Sequence, residues 1–148
     1  MGRSILAVFL GWAASLFVIV AVEAVGHRLF PLPAGADIWS RAALTGPGPA
    51  IPVGALILVV AGWICGALAG GFLAGRLVQR AQLGHAMLVA VVVLGFAVWT
   101  MLTMPHPVWM WVASILLIPA GGWLGGRLAM SRGRAYPPAA TGGLDGAA

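Results

Sequence analysis

The segment AGGFLAGRL, Ala69 to Leu77, returns 51 residues later as AGGWLGGRL, Ala120 to Leu128, with seven of nine positions identical. Each copy closes a long uncharged run with an arginine, so this segment decides how the chain is organised. Residues four apart share one face of a helix. Gly62, Gly66 and Gly70 stand four apart and Ala74 continues their line, while Gly71 and Gly75 form an adjacent pair. In the second copy Gly121 pairs with Gly125, and Gly122 with Gly126. Each set leaves a groove without side chains. In lipid, where helices gain nothing hydrophobic by meeting, such small-residue faces mark the sites of close van der Waals approach. Helix packing is therefore the expected role of these glycines.

The rest of the chain supplies the lipid setting. Of 148 residues, 61% are hydrophobic and 7% charged, and the mean hydropathy is +1.04. A helix needs roughly 20 largely apolar residues to cross a hydrocarbon core of about 30 Å. Four runs meet that length, which predicts helices over about residues 4–30, 53–78, 83–104 and 107–130. Pro31 and Pro33 stop the first helix, and Pro105 and Pro107 set the turn before the fourth, because proline disfavours helix at and before its own position. Pro119 lies inside the fourth helix and removes one backbone hydrogen bond there. Residues 31–52 form an outer loop with five prolines and one helix-compatible piece, DIWSRAAL, which Asp37 caps and Trp39 anchors. The tail, residues 131–148, has too few bulky apolar groups to fold and is expected to be disordered. The expected architecture is an all-α integral membrane domain over residues 1–130. Helices 2 and 4 run in the same direction, so helices 1 and 2 and helices 3 and 4 read as two parallel-repeat hairpins packed through the Gly-rich faces.

Charge sets the orientation. All eight basic residues are arginine, and six of them, Arg3, Arg76, Arg80, Arg127, Arg132 and Arg134, fall on one side. The positive-inside rule makes that side cytoplasmic and places both termini there. Arg76, Arg80, Arg127, Arg132 and Arg134 are expected to meet lipid headgroups, each gaining about 1 kcal/mol from anionic lipid. The formal charge of +5 does not indicate nucleic acid, because the arginines sit at helix ends and form no single patch. A signal-peptide reading of the first helix is set aside, since its apolar run is long for that purpose and Glu23 occupies the cleavage-like site. Trp39, Trp99, Trp109 and Trp111 suit an outer aromatic belt and Trp123 an inner one, whereas Trp12 and Trp63 lie deeper and are expected to pack within the bundle. Cys65 reads as a small packing residue.

Few groups are left for chemistry. Glu23 and His27 lie i and i+4 on the first helix and share a face. Glu23 is 20 residues beyond Arg3, about 30 Å along a helix, so it reaches the outer boundary of the hydrocarbon. His106 occupies the outer turn at a similar depth. One Glu and two His at one membrane face make a candidate three-ligand set for a divalent metal, or a proton relay. The plainer alternative is that Glu23 and His27 end their helix among headgroups and His106 is solvated. His85 reads as a solvated cap on the inner side. Nucleophile elbows, phosphate loops, paired carboxylates and paired metal-ligand motifs are all missing from the sequence, so neither catalysis nor an organic cofactor is expected.

The segment VEAVGHRLFPLPAG, Val22 to Gly35, the Gly-rich second helix and the MLTMPHPVWMW turn together resemble small uncharacterised four-helix proteins of bacterial inner membranes. The resemblance covers about residues 5 to 130 and implies an architecture and a bacterial inner-membrane location, with no site attached. The function expected from the sequence is that of a small polytopic membrane protein. It would work as a homo-oligomer, or as a helix-packing subunit beside other membrane subunits. The alternative is a small transporter or channel with its outer mouth at Glu23, His27 and His106.

Overall fold

A computed structural model of the protein describes residues 2–31, 51–104 and 106–133. The described residues form four helices: α1 (Gly2–Leu29), α2 (Val53–Leu77), α3 (Gln82–Thr103) and α4 (Val108–Gly133). All four are long and apolar enough to cross a membrane, which makes the chain a multi-pass, all-α membrane protein. The helices lie close to the bounds read from the sequence, although α4 continues three residues past the expected end at Met130. The expected loop piece DIWSRAAL, with Asp37 and Trp39, and the tail from Arg134 lie outside the described residues.

The helix ends follow from local chemistry. The Phe30 amide still donates to the Gly26 carbonyl at 2.9 Å, after which Pro31 ends α1. Pro52 precedes α2 in an extended conformation, where its missing N–H costs nothing. Ala81 starts α3 from the left-handed region, with φ of 52°, so the α2–α3 turn is tight without a glycine. Pro119 has no N–H to return to the carbonyl one turn before it, yet α4 is continuous through it.

Helix α2 is the hub of the bundle and touches α1, α3 and α4. Helix α3 also meets α4 and, more lightly, α1, whereas α1 and α4 do not meet. Buried positions on α1, at Ala7, Gly11, Ser15 and Ile19, repeat every fourth residue and form one stripe against the hub. The core is built around Trp63, Val89, Met110 and Ile118, with alanines filling the gaps between them. The outward faces carry Phe9, Phe17, Val91, Phe96 and Leu116. A water-soluble protein of this size would not expose so much contiguous apolar surface; in a bilayer it is the solvated surface. Cys65, expected to pack, instead lies exposed on α2, because the buried arc that runs from Gly62 and Gly66 through Trp63 and Ala67 to Gly71 leaves position 65 on the opposite side.

The glycines sit where helices cross. A Cβ on Gly70 would collide with the Gly11 carbonyl and the Ser15 hydroxyl of α1, and one on Gly66 would come within 2.7 Å of Ile19. Gly71 and Gly75 turn instead toward α4, where Gly122 and Ala129 lie opposite them. On α4, Gly121 and Gly125 take the Ile64 and Leu68 carbonyls of α2, while Gly122 and Gly126 receive Ala90 and Ala86 of α3. Gly62 is buried against Val22 at ordinary contact distance. These faces are thus occupied by helices of the same chain.

Candidate functional site

A cleft of about 160 Å³ opens at the end of the bundle that carries Glu23. It lies between the last turns of α1, the first turns of α2 and the α3–α4 connection. Glu23 and His27 enter it from α1 and His106 from the connection, so the fold brings to one place three titratable groups that are far apart in sequence. The remaining walls are apolar: Phe30 from the end of α1, Leu56 and Val59 from α2, and Met104 from the end of α3. The Phe30 ring lies against Gly54, where any side chain would strike it. That contact fixes the aromatic wall beside the first turn of α2.

Both histidines of the cleft are oriented by the backbone. His27 Nδ1 stands 2.8 Å from the Glu23 carbonyl oxygen, one turn back on α1. His106 Nδ1 stands 2.8 Å from the Met104 carbonyl oxygen. A carbonyl oxygen only accepts, so in each ring Nδ1 carries the proton and donates. The same bonds set the ring planes. Glu23 is half-buried, His106 partly buried and His27 exposed, so the site grades from apolar depth to open mouth.

The shared cleft does not amount to a metal centre. Among the described residues no group of three His, Cys, Asp or Glu lies close enough to hold a metal ion. The divalent-metal reading of Glu23, His27 and His106 is therefore corrected: they line one cavity without converging on a point. His85, expected to be a solvated cap, is half-buried at the opposite end, with Nδ1 2.9 Å from the Ala81 carbonyl oxygen. It borders a shallower groove between α1 and α3 with Ser4, Val8, Trp12 and Leu88. Trp12, expected inside the bundle, faces that groove and packs on Phe9 with ring centroids 6.1 Å apart. Trp63 is buried in the core as expected.

At that same end Arg76, Arg80 and Arg127 are exposed. The Arg127 guanidinium lies 5.1 Å from the centre of the Trp123 ring, a cation–π pair at the end of α4. Arg132 falls in the last turn of α4, and Arg134 lies outside the described residues. Hydroxyls along the helices mostly bond to their own backbone a turn back, as Ser15 does to Gly11 at 3.1 Å and Thr100 to Phe96 at 2.9 Å. Ser114 differs: its Oγ is buried and has no hydrogen-bond partner among the described residues.

Sequence reasoning found the three titratable residues but not the apolar walls. Phe30, Leu56, Val59 and Met104 are ordinary lipophilic residues in their own helices, and only the crossing of α1 and α2 with the end of α3 makes them one surface. No family model matches the chain, and neither does any curated protein or solved structure compared with it.

Proposed function

We propose that the protein is a small transporter or channel of a bacterial inner membrane, with both termini cytoplasmic and an outward-facing cleft that receives a small solute or a proton. One observation carries this reading: Glu23, His27 and His106 line a single cavity with otherwise apolar walls. Ionisable groups at the edge of the hydrocarbon are costly, and where they gather on a cavity they mark solute and proton pathways. The glycine faces that suggested a partner subunit are filled within the chain. The cleft is the open feature that gathers three titratable side chains.

Below the cleft the bundle is closed, since Ile19, Trp63, Met101 and Met110 are all buried. Passage would therefore require movement of the helices around the cleft. Proton flux into proteoliposomes, read with an internal pH dye, tests the reading. Wild-type protein should pass protons at a rate above that of protein-free vesicles and Glu23→Gln should not, with helicity unchanged in both. Equal rates for the two proteins would remove Glu23 from any pathway.

A second reading, a homo-oligomer or a subunit beside other membrane proteins, is supported by Gly95. This glycine faces outward on α3 with nothing within 4 Å of where its Cβ would be. Val91, Val92 and Phe96 around it are exposed, so another helix could approach there. Native mass spectrometry of protein released from its own membrane decides this reading through the stoichiometry observed.

A further inference from the structure

The polar chemistry of the cleft is one-sided, and that restricts what can occupy it. Resting on the reading of the cleft as a solute site, we propose that its ligand is a small organic cation: a protonated amine carrying an apolar body about the size of one aromatic ring.

The argument begins with the two histidines. Each spends its Nδ1 proton on a backbone carbonyl, His27 on that of Glu23 and His106 on that of Met104. A neutral imidazole has one N–H, so the nitrogen left over, Nε2, is a lone-pair acceptor in both rings. The third polar side chain of the cleft is the Glu23 carboxylate, which also accepts. The other side chains around the cavity are hydrocarbon or thioether. Arg28, the basic residue next to His27, is exposed and does not line the cavity. Among the described residues the cleft thus offers acceptors and one negative charge, and no side-chain donor.

An anion would meet no side-chain donor among the described residues and would face a like charge. A neutral apolar molecule would fill the walls but leave the carboxylate half-buried and unpaired, which is costly. An ammonium group reverses both penalties: it neutralises Glu23 and donates N–H groups to that carboxylate and to whichever acceptor lies within its reach. Size follows from the volume. A protein cavity of about 150 Å³ accommodates benzene, so a cleft of about 160 Å³ holds one ring and leaves the ammonium at the polar mouth. Phe30 and Met104 offer an aromatic face and a polarisable sulfur to that ring.

The test uses three probes with the same ring and different charge: phenethylamine, 2-phenylethanol and phenylacetate. Each is titrated at pH 8 into full-length protein in phosphatidylcholine nanodiscs, with empty nanodiscs as the blank. Phenethylamine should bind at least tenfold more tightly than 2-phenylethanol, and phenylacetate should not bind. Glu23→Gln should cancel the tenfold preference, with its helicity by circular dichroism unchanged to show that the variant is folded. Leu56→Trp, which fills one wall, should weaken phenethylamine and 2-phenylethanol alike. Equal binding of amine and alcohol, or preference for phenylacetate, overturns the ligand class and leaves the cleft as a solute site. Amine binding that survives Leu56→Trp places the amine elsewhere and overturns the inference. If no probe binds beyond the blank, the cleft reading falls with it.

Discussion

The two copies of the nonapeptide have nearly the same sequence and different surroundings. In α2, Gly70 faces α1 and is pressed against the Gly11 carbonyl and Ser15, while its counterpart in α4, Gly121, faces the Ile64 carbonyl of α2. Gly71 looks across to α4, whereas its counterpart Gly122 looks to α3. The two positions that differ between the copies are explained by this. Ala74 is fully buried and its methyl fills the space left by Gly11, but the counterpart Gly125 must admit the Leu68 carbonyl and the Phe72 amide. Phe72 is half-buried in the bundle, and its counterpart Trp123 stands exposed beneath Arg127. A small-residue motif records that something comes close. The neighbour that comes close is set by where the helix stands: α2 is surrounded on three sides, and α4 meets two helices.

Substitutions can break this comparison in a graded way. Gly70→Ala should have the largest effect, since its methyl meets main chain and cannot be relieved by a rotamer change; a loss of about 3 kcal/mol is expected. Thermal unfolding in detergent followed by circular dichroism measures it, and an unchanged midpoint would mean that α1 does not sit on Gly70. Gly125→Ala should follow at about 2 kcal/mol, for the same reason against Leu68. Its mirror substitution, Ala74→Gly, removes one methyl and adds backbone freedom, for about 1–2 kcal/mol. If Gly125→Ala and Ala74→Gly made together were neutral, the two copies would be interchangeable and the comparison wrong. The smallest effect should come from Gly95→Ala, where open space and better helix propensity predict a gain of up to about 1 kcal/mol in the isolated chain. A loss of oligomer mass in that variant would instead sharpen the case for a partner at α3.

Much of this was legible before the fold was known. Apolar run length placed all four helices, with prolines marking the end of α1 and the starts of α2 and α4, and the Arg-containing turn separating α2 from α3. The i, i+4 spacing of the glycines was legible as a set of faces, and that of Glu23 and His27 as a shared surface. The assignment of faces to neighbours was not, since a face without side chains has no chemistry that names its partner. Cys65 and Trp12 show the same limit from the other side: hydrophobicity says nothing of inward or outward in a helix that is apolar all round. His106 joined the cleft only through the meeting of the α3–α4 turn with the end of α1. The orientation of the two cleft histidines needed the carbonyls at Glu23 and Met104, which no side-chain pattern encodes.

The position of α2 as hub has a consequence for the order in which the protein is made. Synthesis delivers α1 and α2 first, and their seam at Ser15, Gly66 and Gly70 is made between these two helices, with Val89 of α3 added only beside Gly11. The first hairpin can therefore lock while the second is still being translated, and α3 and α4 then dock on the free side of α2, where Gly71 and Gly75 wait for them. Breaking the chain in the short connection between Val78 and Ala81 should leave two hairpins that, made separately in one cell, reassemble into a single bundle.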